Sequence, residues 1–567
     1  MLYLFRRLAF GLALLPFFGS ADPLQTPGDR DLIRDRQERL LQEQRKRLQE
    51  LQSLPGRAAP QVPASTPEDT RCFTIRHIVL EGAEHLGERE QRRLLEPYEG
   101  QCLGVGQLNA LLKVVTDHYL NRGYITTRAY LPQQDLSSGT LQITVVEGRL
   151  DSLDSLDSSS LASPRELAMA FPGTTGEVLN LRELEQLVDQ LTRLPSRQAQ
   201  LELVPGDEVG SSRVQLQGQR DKPWRVSATR NNDGDRSSGE QQMGLGLDWD
   251  SPLGLADQFS LRANQDAVSD HWRHSDSQYL NYSVPWGWWT FTYSYNQSYY
   301  RTRDDSSGFP FKLDGDSQMH QLRVERVIHR DALSKTAVNL GISHLRTNNY
   351  LDDSLIDVSS TRLSESQLGV NHGRRIGTAF LNLDAGWQQG IGAFDAQGAG
   401  DPHGTEPVAR YNKYSLTLSY LQPFTLWGEA FSFDSLATGQ RSEDPLYSPQ
   451  RISVGGLNSV RGFKQQTLTG NSGGYWRNQL RWRRPVSWAP LQPFVQEYGA
   501  ALAYDVGVIK GDHNNPDTHG RLSGNAVELN LRGQYFAASV SFARSLQRPD
   551  SLERREHPIY VRMDAFF

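Results

Sequence analysis

The side chains with the most evident chemistry in this sequence belong to a single arginine and a later aspartate. Arg461 stands in Val460-Arg461-Gly462-Phe463, at the end of a glycine-rich stretch that begins at Val454. The stretch Asp505-Val506-Gly507 follows on a segment with strand-like alternation. An arginine and a carboxylate that are shielded from water can form two charge-assisted hydrogen bonds. Four residues alone also fit a surface loop with one solvated arginine, so the elements that surround them decide the interpretation.

Motifs for catalysis and metal binding are scarce. The sequence has no P-loop and no His-Glu-x-x-His, and Gly104-Val-Gly-Gln fails the dinucleotide-binding pattern. His271 and His274 lie close together, but no further ligand is near them in sequence, and we expect an exposed loop there. We therefore expect no enzyme, no cofactor and no metal site.

The two cysteines, Cys72 and Cys102, are the next candidates for chemistry. In an exported protein they predict a disulfide that closes a loop of about 30 residues and contributes about 3 kcal/mol. Two free buried thiols are the alternative. Their spacing gives no metal-binding motif.

The N-terminus predicts export. Residues 1–21 combine Arg6 and Arg7, a short apolar run and a small-residue cleavage site at Gly19-Ser20-Ala21. The apolar run is too short for a spanning helix, although a retained anchor is the alternative. The whole chain of 567 residues exceeds one compact core, and its formal net charge of −6 argues against a nucleic-acid partner.

A highly charged helix and a linker come next. The segment 22–54 is rich in strong helix formers from residue 29 onward, and its few apolar residues lie among charges of both signs. Such a helix is solvated, forms a coiled-coil arm or occupies a polar cavity. Residues 55–70 are rich in proline and read as a flexible linker.

Two αβ units are predicted at 71–148 and 149–220. In the first, an alternating strand over 72–82 precedes helices at 88–95 and 105–121 and strands at 126–131 and 140–147. In the second, a helix over 181–194 precedes strands at 199–204 and 212–219. The pattern β-α-α-β-β is clear once and looser the second time.

The remaining residues, 221–567, alternate between apolar and polar side chains in segments of about ten. This length fits about 16 strands of a transmembrane β-barrel, in which only every second residue faces lipid. On the last segment Tyr560, Arg562 and Asp564 share one face, and their charges place that face inside. A soluble β-sandwich is the alternative for this region.

The assembled order resembles the TpsB transporters of two-partner secretion, which export filamentous hemagglutinin, hemolysins and contact-dependent growth-inhibition toxins. The most specific pieces are Leu194-Pro195-Ser196-Arg197 with Pro205-Gly206, and residues 453–463. The resemblance implies a mixed fold: a C-terminal 16-stranded antiparallel transmembrane β-barrel preceded by two αβ POTRA domains and an N-terminal plug helix. It places the barrel in the bacterial outer membrane and the POTRA domains in the periplasm.

The resemblance also assigns roles to residues. A loop near 440–475 would fold into the barrel, and its motif Val460-Arg461-Gly462-Phe463 would gate the pore. There Arg461 would pair with an aspartate of a Gly-x-Asp-x-Gly-like stretch. Here that stretch is 503–507, in which Ala503 replaces the first glycine, so Asp505 and Gly507 form the expected wall site. The POTRA domains would receive an unfolded exoprotein, and the charged helix would occupy the pore at rest.

The partners expected from this assignment are the cognate secreted exoprotein, outer-membrane lipids and, during biogenesis, the barrel assembly machinery. We expect a monomer. Two other functions fit parts of the pattern: an insertase that assembles other barrels, and a diffusion porin. Two POTRA-like units with a plug-like helix argue against the insertase, and about 150 periplasmic residues argue against the porin.

Overall fold

The computed structural model describes residues 26–54, 72–155, 161–208, 210–268, 271–304, 310–400, 406–512 and 519–567. The predicted signal peptide and linker lie outside these residues. No helix among the described residues has the length and apolar content needed to cross a membrane.

Helix α1 (Pro27–Gln52) begins at a capping box. The Thr26 hydroxyl accepts a hydrogen bond from the Asp29 amide at 3.1 Å, and the Asp29 carboxylate accepts one from the Thr26 amide at 3.1 Å. These two bonds satisfy donors that a helix start leaves without partners. The helix then runs through the charged segment with no internal glycine beyond its first turn.

The first αβ unit contains β1 (Cys72–Thr74), β2 (His77–Glu81), α2 (Glu88–Leu95), β3 (Cys102–Gly104), α3 (Val105–Asn121), β4 (Arg128–Tyr130) and β5 (Thr140–Val146). Strand β5 is central, parallel to β2 and antiparallel to β4. Leu111 and Val115 of α3 pack with Leu141 and Ile143 of β5 in a buried core.

The single strand predicted over 72–82 was wrong, because it is two strands. The chain changes partner at Ile75, whose amide donates to Gln101 O at 3.0 Å and whose carbonyl accepts from the Gly100 amide at 2.7 Å. Strand β1 therefore pairs with β3, whereas β2 pairs with β5. The predicted disulfide between Cys72 and Cys102 is confirmed and links β1 to β3, with 5.2 Å between the two Cα atoms.

The second αβ unit contains β6 (Arg149–Ser155), α4 (Pro164–Ala170), α5 (Leu181–Thr192), β7 (Arg197–Pro205) and β8 (Ser211–Arg220). Its sheet has the order β6-β8-β7. The sequence interpretation missed α4, although Ser163 and Glu166 form a capping box at its start. Helix α5 packs Leu187 and Leu191 against Leu216 of β8.

The third part is the barrel. Its strands and the small hairpin of its internal loop are β9 (Trp224–Asn231), β10 (Gln242–Asp250), β11 (Gln258–Asp266), β12 (His274–Trp286), β13 (Trp289–Asp304), β14 (Phe311–Arg330), β15 (Ser334–Leu351), β16 (Ser354–Leu355), β17 (Thr361–Ile376), β18 (Ala379–Ile391), β19 (Asn412–Leu426), β20 (Glu429–Arg441), β21 (Ile452–Val454), β22 (Leu468–Gly470), β23 (Gly473–Pro485), β24 (Glu497–Ile509), β25 (Gly520–Arg532), β26 (Phe536–Gln547) and β27 (Ile559–Phe566).

Within the described residues, sixteen antiparallel strands close the barrel through the pairing of β27 with β9. Strand β16 only extends the hairpin beside β15, and β21 pairs with β22 inside the loop. Outward positions carry exposed leucines, such as Leu340 on β15, where a lipid contact is favourable. Inward positions carry small polar residues, such as Ser294 and Asn339, which line the lumen.

Candidate functional site in the barrel lumen

Helix α1 lies inside the barrel, with the wall on all sides of its middle turns. Gln44 is the most deeply held polar residue there. Its Nε2 donates to Asp384 Oδ2 at 2.6 Å, and its Oε1 accepts from Asn382 Nδ2 at 2.9 Å and from Ser419 Oγ at 2.8 Å. Serine, asparagine and aspartate of the wall thus replace the water that would solvate this side chain.

Ion pairs fix the same helix to a second part of the wall. Arg47 Nη1 contacts Glu325 Oε1 at 2.9 Å, and Arg323 Nη1 contacts Glu43 Oε1 at 2.9 Å. Both wall residues lie on β14. The side chains of Arg47 and Glu325 are 13% and 17% exposed, and those of Arg323 and Glu43 are 23% and 42% exposed, so both pairs border the lumenal cavity and are less deeply buried than a fully desolvated pair.

The C-terminal end of α1 is held differently, by apolar contacts. Leu48, Leu51 and Leu54 are buried against Phe380 of β18. A Cβ atom on Gly373 would stand 2.7 Å from Leu51 Cδ2, so this glycine makes room for the leucine. These contacts form the apolar anchor of α1.

The second insert in the lumen is the loop between β20 and β23. Its tip turns at Gly455 and Gly456, whose φ angles of 118° and 96° favour glycine. The Ser459 hydroxyl donates to Gly455 O at 2.6 Å and accepts from the Gly455 amide at 2.9 Å, which closes the turn. Val460 and Phe463 are buried beside Val454.

The tip presents Arg461 to the barrel wall at Asp505 of β24. Arg461 Nε donates to Asp505 Oδ2 at 2.7 Å, and Nη2 donates to Oδ1 at 2.7 Å. The side chains are 2% and 0% exposed, so this bidentate pair is desolvated. Two further donors of the guanidinium also reach acceptors, because Nη1 donates to Gln479 Oε1 at 3.0 Å and Nη2 donates to Asn478 O at 3.4 Å.

Glycines of the wall let the tip lie flat against it. A Cβ on Gly507 would stand 2.9 Å from Val460 Cγ2, and one on Gly524 would stand 2.8 Å from Gly462 Cα. A side chain at either wall position would displace the loop. Ala503, the departure from the family pattern, is tolerated because it packs in a small cluster with Ala526, Ala543 and Tyr560.

Tyr560, on the last strand β27, also holds the loop tip. Its hydroxyl lies 3.1 Å from Arg461 O and 3.3 Å from Phe463 O, and it donates toward these carbonyls. Sequence reasoning placed Tyr560 on the inner face but gave it no role, and it missed Gln479 and Gly524. The alternation of β27 was the only signal for Tyr560, and a glycine inside a strand was the only one for Gly524.

The two inserts touch each other: Gln37 Nε2 of α1 donates to Ser453 O of the loop at 2.8 Å, and Asp29 at the start of α1 lies against Ser448 and Arg451 of the loop. Between them and the wall lies a cavity of about 1100 Å³.

No group of three or more histidine, cysteine or acidic residues in the described ranges could hold a metal ion. An exposed loop was expected at residues 271–274. His274 is instead the first residue of β12, and its Nε2 lies 3.2 Å from Asp276 Oδ1, so the loop ends at residue 273.

The second αβ unit packs against the end of the barrel at which β14 turns into β15. Arg330, at the end of β14, contacts Glu185 Oε2 of α5 at 3.0 Å and also pairs with Asp189. Lys335 of β15 contacts Asp189 Oδ2 at 3.0 Å and Glu50 Oε2 of α1 at 3.6 Å. This lysine therefore joins α1, the barrel and the second αβ unit.

A buried carboxylate of α4 strengthens the same junction. Burial disfavours the charged form of Glu166, but hydrogen bonds from Arg197, the Ser251 hydroxyl and the Ser163 amide outweigh it and lower its pKa to about 2. Ser251 belongs to the turn between β10 and β11, so this charge links the αβ unit to the barrel.

Comparison with protein families gives three matches along the chain. The model for the haemolysin secretion/activation proteins ShlB/FhaC/HecB matches residues 210–531. A ShlB-type POTRA domain matches residues 73–148, and a second POTRA domain matches residues 149–205. The two αβ units are therefore POTRA domains.

Individual relatives match nearly the whole chain. The outer membrane transporter CdiB of Dickeya dadantii is 33% identical over 93% of this chain and 92% of its own. CdiB of Escherichia coli O6:K15:H31 is 35% identical over 97% and 92%. The solved structure of CdiB from Escherichia coli superposes with a TM-score of 0.89 at 34% identity, covering 96% of this chain and 99% of the other.

The barrel lies in the bacterial outer membrane with its POTRA domains in the periplasm. Sixteen strands, two POTRA domains and a loop folded into the lumen agree with these matches. The chain belongs to the ShlB/FhaC/HecB family of haemolysin secretion/activation proteins, the TpsB transporters of two-partner secretion.

Proposed function

We propose that this chain receives a large unfolded exoprotein in the periplasm through its POTRA domains and secretes it through the barrel lumen without nucleotide hydrolysis. The observation that carries the proposal is the occupant of the lumen. Helix α1 fills a polar channel through side-chain contacts that an extended polypeptide can replace with its own backbone donors and acceptors.

The class of cargo follows from the family. Relatives of this chain are named as hemolysin transporters, such as HpmB of Proteus mirabilis, at 29% identity over 87% of the chain. The cargo is then a hemolysin, an adhesin or a contact-dependent inhibition toxin. It is the cognate exoprotein of this transporter.

The first POTRA domain offers the exoprotein open strand edges. Strands β2 and β4 are the outer strands of its sheet, and they expose Val79 at 46% and Tyr130 at 53%. An extended peptide can add to such an edge through its backbone while apolar side chains contact these residues. An unfolded chain exposes both kinds of group, whereas a folded protein hides them.

In this proposal the two lumenal inserts have separate roles. Helix α1 is the plug and leaves when the exoprotein enters. The loop with Val460, Arg461, Gly462 and Phe463 stays on Asp505 and Gly507 and shapes the passage. Folding of the exoprotein outside the cell then supplies the net free energy of transport, because the sequence contains no P-loop for nucleotide binding.

Reconstitution tests the proposal directly. Purified transporter in liposomes should pass its exoprotein across the bilayer with no added nucleotide, as measured by protease protection. An absolute requirement for ATP would refute this mechanism. A general loss of other outer-membrane barrels on deletion of the chain, with normal exoprotein levels outside, would instead indicate the insertase.

A further inference from the structure

The outer surface of the barrel carries a group of basic side chains on three neighbouring strands. His320 lies on β14, His344 and Arg346 lie on β15, and Arg362 lies on β17. We call these four residues the basic patch. Neither transport through the lumen nor the docking of the POTRA domains uses them.

The alternation of β15 shows that the patch faces outward. Asn339, Ser343 and Leu345 line the lumen, so the even-numbered positions of this strand point away from it. Along that outer face Leu340 is 60% exposed and His344 and Arg346 follow after Ile342. The apolar outward residues therefore end where the basic ones begin.

The length of β15 places the change from apolar to basic outward residues at the extracellular face of the membrane. The strand has 18 residues and runs upward from the periplasmic turn at Ser334. At about 3.4 Å per residue and a tilt of about 40°, it rises well above an apolar band that is about 25 Å tall. Arg346 and Arg362, near the upper ends of their strands, thus lie at the level of lipid headgroups.

The register places the two arginines side by side. Arg346 is the direct cross-strand partner of Arg362, and the rings of His320 and His344, which contact the Tyr293 and Ser364 hydroxyls, form the neighbouring cross-strand pair. Like charges in such positions destabilise a sheet unless an anion lies between them. Asp395 contacts Arg362 at 2.7 Å, but its own side chain is 83% exposed. Asp316, on the next row, is held by Asn348 at 3.1 Å.

We propose that the basic patch binds the phosphate groups of a glycolipid in the outer leaflet. Two guanidinium groups side by side can each form a bidentate pair with phosphate oxygens. Gln318, the cross-strand partner of Arg346, adds an amide donor beside them. Leu340 and Ile342, below the patch on β15, contact the acyl chains of the same lipid, which distinguishes a lipid from a free anion.

Binding of lipid A to the purified full-length transporter tests this site and requires no exoprotein. The variant is Arg346→Gln with Arg362→Gln, and both side chains are exposed, so the barrel should fold normally and keep its heat-modifiable mobility on gels. The matched control is Arg441→Gln with Arg544→Gln, two exposed arginines at the extracellular ends of β20 and β26. Retention of lipid is measured by native mass spectrometry.

The wild type and the control should retain bisphosphorylated lipid A, and the patch variant should bind it about tenfold more weakly or worse. Dephosphorylated lipid A should bind the wild type as weakly as the variant binds the phosphorylated form. Equal retention by the patch variant and the wild type overturns the proposal. Equal binding of dephosphorylated lipid, or competition by millimolar inorganic phosphate alone, overturns it as well.

Discussion

Two inserts share one lumen, and the structure holds them in opposite ways. The loop reaches the wall through a desolvated bidentate pair, Arg461 with Asp505, and through glycines at 507 and 524 that admit its backbone. Helix α1 touches the wall through polar contacts beside a cavity of about 1100 Å³, through the apolar anchor at its C-terminal end and through Leu32 and Ile33 near its start. The loop is therefore fixed to the wall, whereas α1 is held by contacts that are easier to break.

The difference follows from the cost of breaking each set of contacts. Removal of one partner from a buried ion pair leaves an uncompensated charge and costs about 3–5 kcal/mol. The pairs of α1 border the lumenal cavity and are 13–42% exposed, so water can reach the partner that is left, and breaking each of them costs less than breaking the Arg461–Asp505 pair. In the proposed mechanism α1 leaves during each export cycle and so needs the second kind of contact, whereas the loop stays in place and needs the first.

The largest effect is expected from Arg461→Ala. It leaves Asp505 buried without its partner and should release the loop from the wall, at a cost of about 3–5 kcal/mol. Barrel insertion should persist while exoprotein secretion, measured in culture supernatants, falls sharply.

Asp505→Ala should reproduce this loss, and the double variant should be no worse than either single one, because both remove the same pair. Arg441→Ala, an exposed arginine that pairs with Glu443, is the control and should secrete normally. Normal secretion by well-expressed Arg461→Ala would remove the loop from the mechanism.

The next largest effect concerns the anchor of α1. Leu51→Ser removes a buried apolar side chain from the contact with Phe380 and should weaken the seating of α1 by about 2–3 kcal/mol. Channel conductance in planar bilayers should rise, and secretion should continue. Gln42→Ser, which only loses a bond to Glu38 within the helix, should leave conductance unchanged. Equal conductance in both variants would show that the apolar anchor does not hold the plug.

A smaller effect is expected from a substitution in the barrel wall where the loop contacts it. Gly524→Ala adds a Cβ atom 2.8 Å from Gly462 Cα, which overpacks the contact by about 1–3 kcal/mol. Secretion should drop without loss of the Arg461 side chain. Gly341→Ala also faces the lumen, but its nearest neighbour is 3.5 Å away, and it should behave as the wild type. If both variants secreted equally, the close approach of the Gly462 and Gly524 backbones would not be needed to hold the loop in place.

The smallest effect is expected at Lys335, which links Glu50 of α1 to Asp189 of the second POTRA domain. Lys335→Gln should weaken each contact by about 1 kcal/mol or less. In planar bilayers we expect the Lys335→Gln channel to open modestly more often than the wild type. Opening at the wild-type frequency would mean that the POTRA domain and the plug are not coupled through this residue.

The sequence was sufficient for the parts of this account that depend on local pattern. The alternation of 221–567 indicated the barrel, and the charged composition of 29–54 indicated a helix in polar surroundings. Arg461 stood out as a lone charge among small residues, but its pairing with Asp505 was implied by the family resemblance. The disulfide followed from two cysteines in an exported chain.

The rest depended on contacts that only closure of the barrel creates. Gln479, Gly524 and Tyr560 lie on three different strands and meet at the loop because the wall curves around it. Lys335 carries no local signal at all, since its partners lie on α1 and α5, far away in sequence. Helix α4 was missed because seven residues are too few for a helical period to stand out.

Spin-label distances during export test the central contrast most directly. Labels at Gln42 on α1 and at Asn458 on the loop are each paired with one at Thr378, on an exposed periplasmic turn, and the native cysteines do not react because they form the disulfide. With exoprotein engaged, the distance from Gln42 to Thr378 should lengthen and broaden, while that from Asn458 to Thr378 should keep its resting value. A loop that moves while α1 stays in place would contradict the account.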